Sequence, residues 1–330
     1  MNPNHSNPPV RRRDFLTRAA KAGAIVAATG GVGYWLHDTQ GPTGKPAAET
    51  VSLPDYSLPK LGQRMSIITG SDRVKTINRA LQALGGIEQF IQSGDRVVLK
   101  VNAAFASPAA LSATANPKLV AEVARLCFAA GASSVVVADN PINDPQSCFT
   151  LSGIAKAAEA AGAKVILPGA ASFKPTTLPN ARLIRDWPLF IEPFQRATKL
   201  IGISPVKDHH RSGASMSMKN WYGLLGGRRN VFHQDIHTII SELATMVRPT
   251  MVILDGTTSM LTNGPTGGSL EDLQPTNTMI VSTDQVAADA FGATLLGKTA
   301  ADLTFIGKAA AAGVGTIDYE SLKPARDHVG

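Results

Sequence analysis

Short apolar segments that alternate with helical segments determine what this chain can fold into. Four of them read RVVLKV, SVVVA, KLIGI and TMVIL, at residues 96–101, 134–138, 199–203 and 250–254. Nearly continuous apolar strands separated by helices are typical of a parallel sheet that is covered on both faces. The pattern therefore predicts a doubly wound α/β fold, with a mostly parallel sheet and helices on both faces.

The first 45 residues are predicted to be a twin-arginine signal peptide. Residues 11–17, RRRDFLT, place adjacent arginines before a polar residue and a Phe-Leu pair, a pattern that the twin-arginine export machinery recognises. The weakly apolar stretch 22–36 is shorter than the roughly 20 residues of a transmembrane helix and suits a signal peptide. We expect a periplasmic or otherwise exported protein with no membrane span after signal removal, or an anchored one if the signal is not cleaved.

The rest of the chain divides into a linker and a domain. Residues 46–62 are rich in proline and lack periodicity, which predicts a Pro-rich linker. Residues 63–330 are predicted to form the α/β domain. Within it, residues 172–193 contain four prolines and are interpreted as an excursion or a small lobe.

Charge and cysteine content exclude several classes of function. The formal net charge is +7, but residues 1–45 contribute +4 and leave +3 for the remainder. That excess is too small to indicate a nucleic-acid partner, and no basic stretch is interleaved with aromatic residues. The two cysteines, Cys127 and Cys148, are too few for an iron–sulfur cluster, which needs about four cysteine ligands. Whether they pair with each other is left open.

Polar residues follow the predicted strands, where open α/β sheets bind their ligands. They are Lys100 and Asn102, Asp139, Lys207 and His209, Asp255, and Asp284. Aspartate also favours turns and helix caps, so this simpler interpretation stays open for the three aspartates. A lysine at the buried end of an apolar strand needs an anion or an acceptor nearby, which makes Lys100 a stronger candidate.

Residues 205–237 hold four of the seven histidines and two lysines. Lys207, Lys219 and Asn220 are predicted to bind a small anionic ligand together with Lys100, Asn102 and Asp284. Because imidazole titrates near neutral pH, His209 is the best candidate for a general acid or base. His233 and His237 are four residues apart on a predicted helix, 233–247, where a partly exposed face is the favoured interpretation and no metal site is predicted.

The order of several motifs resembles the domain of unknown function 362 (DUF362) family over roughly residues 95–300. The motifs are Lys100-x-Asn102, Asn116-Pro117, Val206-Lys207-x-His209, Met218-Lys219-Asn220-Trp-Tyr-Gly223, Asp255-Gly256, Asn263-Gly264-Pro265 and the run from Ser282 to Ala290. The resemblance implies an α/β fold. Members of the DUF362 family are often exported, and some carry ferredoxin-like cysteine clusters, which this chain lacks.

These observations favour an exported enzyme that binds a small anionic substrate or an unidentified cofactor in a crevice lined by Lys, His and Asn. His209 would move a proton, and Asp255 and Asp289 would orient their partners. The alternatives are a non-catalytic periplasmic binding protein and an accessory factor for redox enzymes, which would use the same export route.

One nucleotide-binding pattern in the sequence is not interpreted as a nucleotide site. Residues 292–299, GATLLGKT, satisfy the nucleotide-binding pattern GxxxxGK[ST]. That mechanism requires a strand before the glycines and a helix that starts at the Lys-Thr end. Residues 284–296 are instead predicted to be a helix that ends at Gly297.

Overall fold

The computed structural model describes residues 12–35 and 52–330. The chain divides into two compact units, Met1–Ala48 and Glu49–Gly330. In the first unit, helix α1 (Arg12–Trp35) is exposed at every residue from 12 to 32. Arg11 of the predicted signal lies outside the described residues. Across the described ranges, no helix combines the length and hydropathy of a membrane span.

The second unit contains ten strands and nine helices within residues 52–330. The helices are α2 (Arg73–Ala83), α3 (Pro117–Ala129), α4 (Pro145–Leu151), α5 (Ile154–Ala160), α6 (Glu192–Gln195), α7 (Ser217–Asn220), α8 (Ile236–Met246), α9 (Gln285–Thr294) and α10 (Thr304–Ala311). The strands are β1 (Met65–Thr69), β2 (Arg96–Val101), β3 (Ser134–Ala138), β4 (Lys164–Ile166), β5 (Phe173–Thr176), β6 (Trp187–Phe190), β7 (Lys199–Lys207), β8 (Met251–Met260), β9 (Leu273–Ser282) and β10 (Ala325–His328).

Eight strands form one sheet, in the order β10-β1-β9-β8-β7-β2-β3-β4. Only β9 runs antiparallel to its neighbours β1 and β8, and the other five pairings are parallel. The predicted doubly wound, mostly parallel α/β fold is therefore confirmed.

Helices cover both faces of this sheet because successive strand residues point to opposite sides. On one face, Val98 and its neighbours pack against α8, α9 and α10. On the other, Val97 and Leu99 pack against α2, α3 and α5. The apolar strands are buried on both sides, which explains why their sequences read as continuous runs.

The chain reverses its direction of winding between β2 and β7. From β2 it proceeds outward through β3 to β4, and it then returns to β7, on the other side of β2, and continues to β8. A doubly wound sheet opens a crevice at such a switch point, outside the carboxyl ends of the strands. In this sheet the crevice lies beside the ends of β2 and β7.

Several strand ends differ from the predictions. β7 continues to Lys207 instead of stopping at residue 203, and β8 continues to Met260 instead of stopping at residue 254. β9 begins at Leu273 because its first residues pair with the end of β8 in a hairpin. Hydrogen bonding to a neighbouring strand therefore extends these strands beyond their apolar stretches, and Asp255 lies within β8 rather than after it.

Two segments that the sequence set apart are ordered against the domain. Tyr56 lies in the predicted linker 46–62, but its side chain is buried and its hydroxyl donates to Phe194 O at 2.8 Å. The domain therefore begins before residue 63. Within residues 172–193, β5 and β6 form a separate antiparallel pair. Cys127 and Cys148 are both buried and free.

Gly202 of β7 provides a test of the packing behind the crevice. A Cβ at this position would lie 2.7 Å from Cη2 of Trp221, whose buried indole donates to Gln285 Oε1 at 2.6 Å. We expect Gly202→Ala to lower the free energy of unfolding in urea by about 1–3 kcal/mol through overpacking.

The matched control is Gly307→Ala in α10, where an added Cβ meets open space. Replacing a helical glycine by alanine raises the free energy of unfolding by about 0.5–1 kcal/mol. Equal unfolding midpoints for Gly202→Ala and the wild type would contradict the packing of Trp221 on β7.

Candidate functional site

A pocket of about 190 Å³ occupies the crevice beside β2 and β7. Five of the predicted site residues line it: Asn102, Lys207, His209, Lys219 and Asn220. The remaining lining side chains include apolar, aromatic and charged groups, among them Ala104, Phe105, Asp139, Ile142, Tyr222, Arg229, His233 and Pro265. The sequence-predicted residues of β2, β7 and α7 therefore meet in one place.

Lys100 lies directly behind the wall of this pocket and is fully buried. Its Nζ lies 2.8 Å from Oδ1 of Asp139 and donates to Val101 O at 2.7 Å and to Asn220 Oδ1 at 2.9 Å. Burial lowers the pKa of Lys100, and the Asp139 carboxylate opposes this shift. The anion that a buried lysine requires is thus supplied by the protein itself.

The Lys100–Asp139 pair fixes three segments relative to one another. Asp139 also accepts from the backbone N–H of Ala103 at 2.7 Å, and Asn220 Nδ2 donates to Lys100 O at 3.1 Å. Gly223 makes this approach possible, because a Cβ there would lie 2.0 Å from Asp139 Oδ1. The end of β2, the end of β3 and α7 are consequently joined around one ion pair.

Lys207 and Lys219 contribute two further cations to the pocket. Lys207 Nζ donates to the carbonyls of Ala113 and Pro265 and lies 5.0 Å from the ring centre of Phe105. Lys219 Nζ lies 5.1 Å from the ring centre of Tyr222. Burial, together with the charge of Lys219, lowers the pKa of Lys207 to about 7, and burial with the charge of Arg229 lowers that of Lys219 to about 7.

His209 is held in one tautomer by its backbone neighbours. Its Nδ1 accepts from the N–H groups of Arg211 at 3.2 Å and Ser212 at 3.3 Å. Burial, and then the charge of Lys219, lowers the pKa of His209 to about 2, so the ring is neutral. The single proton of a neutral ring whose Nδ1 accepts is on Nε2, which makes His209 a hydrogen-bond donor through that atom.

His233 has the opposite tautomer. Its Nδ1 contacts the carbonyl of Asn230 at 3.3 Å and the hydroxyl of Tyr222 at 3.1 Å, and that hydroxyl donates to Arg229 O. Both partners therefore accept from Nδ1, and Nε2 of neutral His233 carries the lone pair. The rings of His209 and His233 are stacked with centres 6.1 Å apart, so a donor and an acceptor imidazole lie side by side.

Three residues of this pocket, Tyr222, Arg229 and His233, were not among the predicted site residues. The predicted helix 233–247 begins only at Ile236, because residues 229–235 form a 3-10 turn. Arg229 donates to the carbonyls of Asn140, Pro141 and Leu225, so it is anchored in the pocket wall. The signal for Arg229 and His233 was the density of cations and histidines after Gly227.

A family model described as "Domain of unknown function (DUF362)" matches residues 97–294 of this chain. The chain belongs to the DUF362 family. The matched stretch runs from β2 to the last residue of α9, so it includes every pocket residue named above.

Three proteins of known sequence or structure resemble this DUF362 chain. A thylakoid-associated protein of Synechocystis sp. is 23% identical over 224 residues, which are 65% of this chain and 67% of that protein. The lactate racemase apoprotein of Thermoanaerobacterium thermosaccharolyticum is 12% identical with a TM-score of 0.37, over 71% of this chain and 59% of that one. A Thermotoga maritima protein is 12% identical with a TM-score of 0.33, over 55% and 50%.

This chain thus spans less than two thirds of either solved structure. At these TM-scores, neither structure gives information about the activity of this DUF362 protein.

Asp255, Asp284 and Asp289, the aspartates among the predicted site residues, do not line the pocket. Asp255 pairs with Nε of Arg73 at 2.7 Å. Asp284 caps α9 by accepting from Val286 N and Ala287 N at 2.8 and 2.9 Å. Asp289 accepts from Ser217 N at 2.8 Å and Met218 N at 3.1 Å, at the start of α7. Asp289 therefore acts on the pocket by fixing the helix that carries Lys219, and the functional roles of all three remain predictions.

His237 and Lys298, two further residues named in the sequence motifs, have structural partners. His237 stacks on Phe305 with ring centres 6.3 Å apart and does not line the pocket. In the ranges that the structure covers, no three His, Cys, Asp or Glu side chains are grouped as a metal site would require. Lys298 of the GATLLGKT segment follows the end of α9, which occupies the place of the predicted helix, and pairs with Asp208 at 2.9 Å.

Asp139→Asn tests the ion pair behind the pocket. Removing one partner of a buried pair leaves an uncompensated charge, so we expect the free energy of unfolding in urea to fall by about 3–5 kcal/mol. Adding Lys100→Met removes that charge, so the double variant should be more stable than Asp139→Asn alone. A single variant as stable as the wild type would contradict the pairing.

Proposed function

We propose that this DUF362 protein is an exported enzyme that binds a small organic anion in the pocket and transfers a proton to or from it. The observation that carries the proposal is an excess of positive charge. Asp139 is matched by Lys100, whereas Lys207, Lys219 and Arg229 form no salt bridge within the described residues. Three cations around one small pocket repel one another until an anion joins them.

The pocket wall supports an organic anion in preference to a bare inorganic one. Ala104, Phe105 and Ile142 form an apolar part of the lining, next to the ammonium groups. Asn102 also lines the pocket, but its buried Oδ1, which has no hydrogen-bond partner among the described residues, can only accept and does not itself bind the anion. A ligand with a carboxylate and a short aliphatic part satisfies both regions.

The two histidines supply the means of proton transfer. His209 presents a donor Nε2–H, and His233 presents an acceptor Nε2, as their hydrogen bonds require. Burial, and next the charge of Lys219, lowers the pKa of His233, so it stays unprotonated and able to accept a proton at neutral pH. A base beside a bound anion can abstract a proton, and the neutral His209 can stabilise the developing negative charge as a hydrogen-bond donor.

The export part of the proposal rests on the arginines at residues 11–13 and the stretch that follows them. The twin-arginine machinery would be the partner in transport, and the periplasm or another exported location the place of action.

Binding should be saturable and pH-dependent. We expect one member of a panel of phosphate, acetate, butyrate and succinate to stabilise the protein against heat, by about 2.7 kcal/mol at about 100 times its Kd. An anion raises the pKa of Lys207 and Lys219 above about 7, so binding takes up protons. Affinity measured by calorimetry should therefore be constant below about pH 7 and should fall as the pH rises further.

Lys219→Met should weaken binding about tenfold or more, because a charge-assisted hydrogen bond is lost. Lys308→Met on the exposed face of α10 is the matched control and should bind as the wild type does. Unchanged affinity between pH 6 and pH 9, or the same affinity for both variants, would contradict an anion held by the pocket lysines.

A periplasmic carrier would bind the same anion without changing it. Proton NMR of the bound anion in deuterated water distinguishes the two. An acid–base enzyme replaces the hydrogen of an activated C–H bond with deuterium or forms a new compound. His233→Gln should abolish that change while it retains binding. A ligand that binds tightly to the wild type and remains unchanged would establish the carrier.

A further inference from the structure

Three lysines at the same edge of the sheet differ in their partners. Lys100 is bound to a carboxylate, a carbonyl and an amide oxygen. Lys207 is bound to two backbone carbonyls. Lys219 Nζ has no hydrogen-bond acceptor and no salt bridge among residues 12–35 and 52–330, and its described neighbour is the ring of Tyr222. It is the pocket lysine that is free to react.

We propose that the Nζ of Lys219 forms an imine with the carbonyl carbon of a small 2-oxo acid bound in this pocket. The inference rests on the proposed binding of an organic anion, and it names the class of that anion.

The reaction needs no oxidant, reductant or further reactant. The unprotonated amine of Lys219 attacks the carbonyl carbon, a C–N bond forms, and the carbonyl electron pair moves to oxygen, which takes up a proton. The nitrogen loses its two protons in turn, the oxygen takes up a second proton and leaves as water, and the C=N bond forms, so that both amine protons end in the water. The products are an imine and one molecule of water, and protonation of the imine restores a positive charge at this position.

The surroundings of Lys219 favour an unprotonated amine. Burial and the neighbouring charge of Arg229 lower its pKa to about 7, so both forms are populated near neutral pH. A lysine that is desolvated next to another cation is a known means of producing a nucleophilic amine. Arg229 itself cannot take up this role, since its guanidinium stays protonated and is bonded to carbonyls.

The position of a 2-oxo acid follows from the same contacts. Lys207 is close enough for the charge of Lys219 to lower its pKa, and two carbonyls hold its ammonium group in place. A carboxylate on Lys207 would leave the adjacent carbonyl carbon near Lys219, and the aliphatic part would lie against Phe105 and Ile142. His209 Nε2–H is a donor available for the departing oxygen.

Lys219 is also held by a rigid support. The start of α7 donates two backbone N–H groups to Asp289, and the next residue, Asn220, is bonded to Lys100 and to Ile203 O. Lys219 lines the pocket and is therefore carried on a fixed backbone, which reactions between bound groups require.

The test is reductive trapping on the purified full chain. The protein is incubated with 2-oxobutyrate and sodium cyanoborohydride at neutral pH, and the adduct is located by peptide mass spectrometry. We expect a saturable mass gain of one 2-oxobutyrate less one oxygen atom, on the peptide that contains Lys219. Lys219→Arg retains the charge but cannot form the imine, so it should lose the adduct, whereas Lys308→Arg on the exposed face of α10 should retain it.

A parallel measurement separates this inference from the proposed function. The analogue 2-hydroxybutyrate lacks the carbonyl, and it should stabilise both the wild type and Lys219→Arg against heat. If 2-hydroxybutyrate stabilises the protein but Lys219 is not trapped, or if exposed lysines are trapped equally, the imine is overturned and anion binding stands. If neither compound binds the pocket, both proposals fail.

Discussion

A buried lysine at the end of β2 is the constraint on which the site depends. Lys100 has no access to water, so a carboxylate must lie against it, and Asp139 at the end of β3 meets this requirement at 2.8 Å. Asn220 bonds both to the side chain and to the backbone of Lys100, which ties α7 to the same point. The pair therefore joins segments that are far apart in the chain, at the switch point of the sheet.

The same pairing determines the charge of the pocket. Asp139 forms its salt bridge with Lys100 and none with Lys207, Lys219 or Arg229 among the described residues, and these three cations share a small space with apolar side chains. Burial, and then the repulsion of neighbouring cations, lowers the pKa of both lysines to about 7. Burial, and then the same positive environment, also lowers the pKa of His209 and His233 and keeps their rings neutral. Lys100 thus differs from Lys207 and Lys219 in its partners, although all three lie at the end of the sheet where β2 and β7 have their carboxyl ends.

Much of this arrangement was predictable from the sequence. Apolar runs indicated the sheet, and the rule that ligands bind at strand ends brought Asn102, Lys207, His209, Lys219 and Asn220 to one crevice. The sequence-based prediction failed for residues whose position depends on contacts between distant parts of the chain. His233 reaches the pocket from a 3-10 turn over residues 229–235, before α8 begins at Ile236, and the hydrophobic periodicity of the sequence does not predict such a turn. Asp255, Asp284 and Asp289 also follow or interrupt apolar runs, but they do not line the pocket. Asp255 pairs with Arg73, which is distant in sequence, Asp289 binds the start of α7, and Asp284 caps α9.

We expect the pocket of the ligand-free protein to hold unmatched positive charge, and the titration of its lysines tests this most directly. Carbon-13 NMR of the lysine Cε groups, assigned with Lys207→Arg and Lys219→Arg, reports each protonation equilibrium. The account predicts that Lys207 and Lys219 titrate near pH 7, and that a bound organic anion moves both to higher pH. If both lysines titrate near the ordinary value of 10.5 in the ligand-free protein, the account is contradicted.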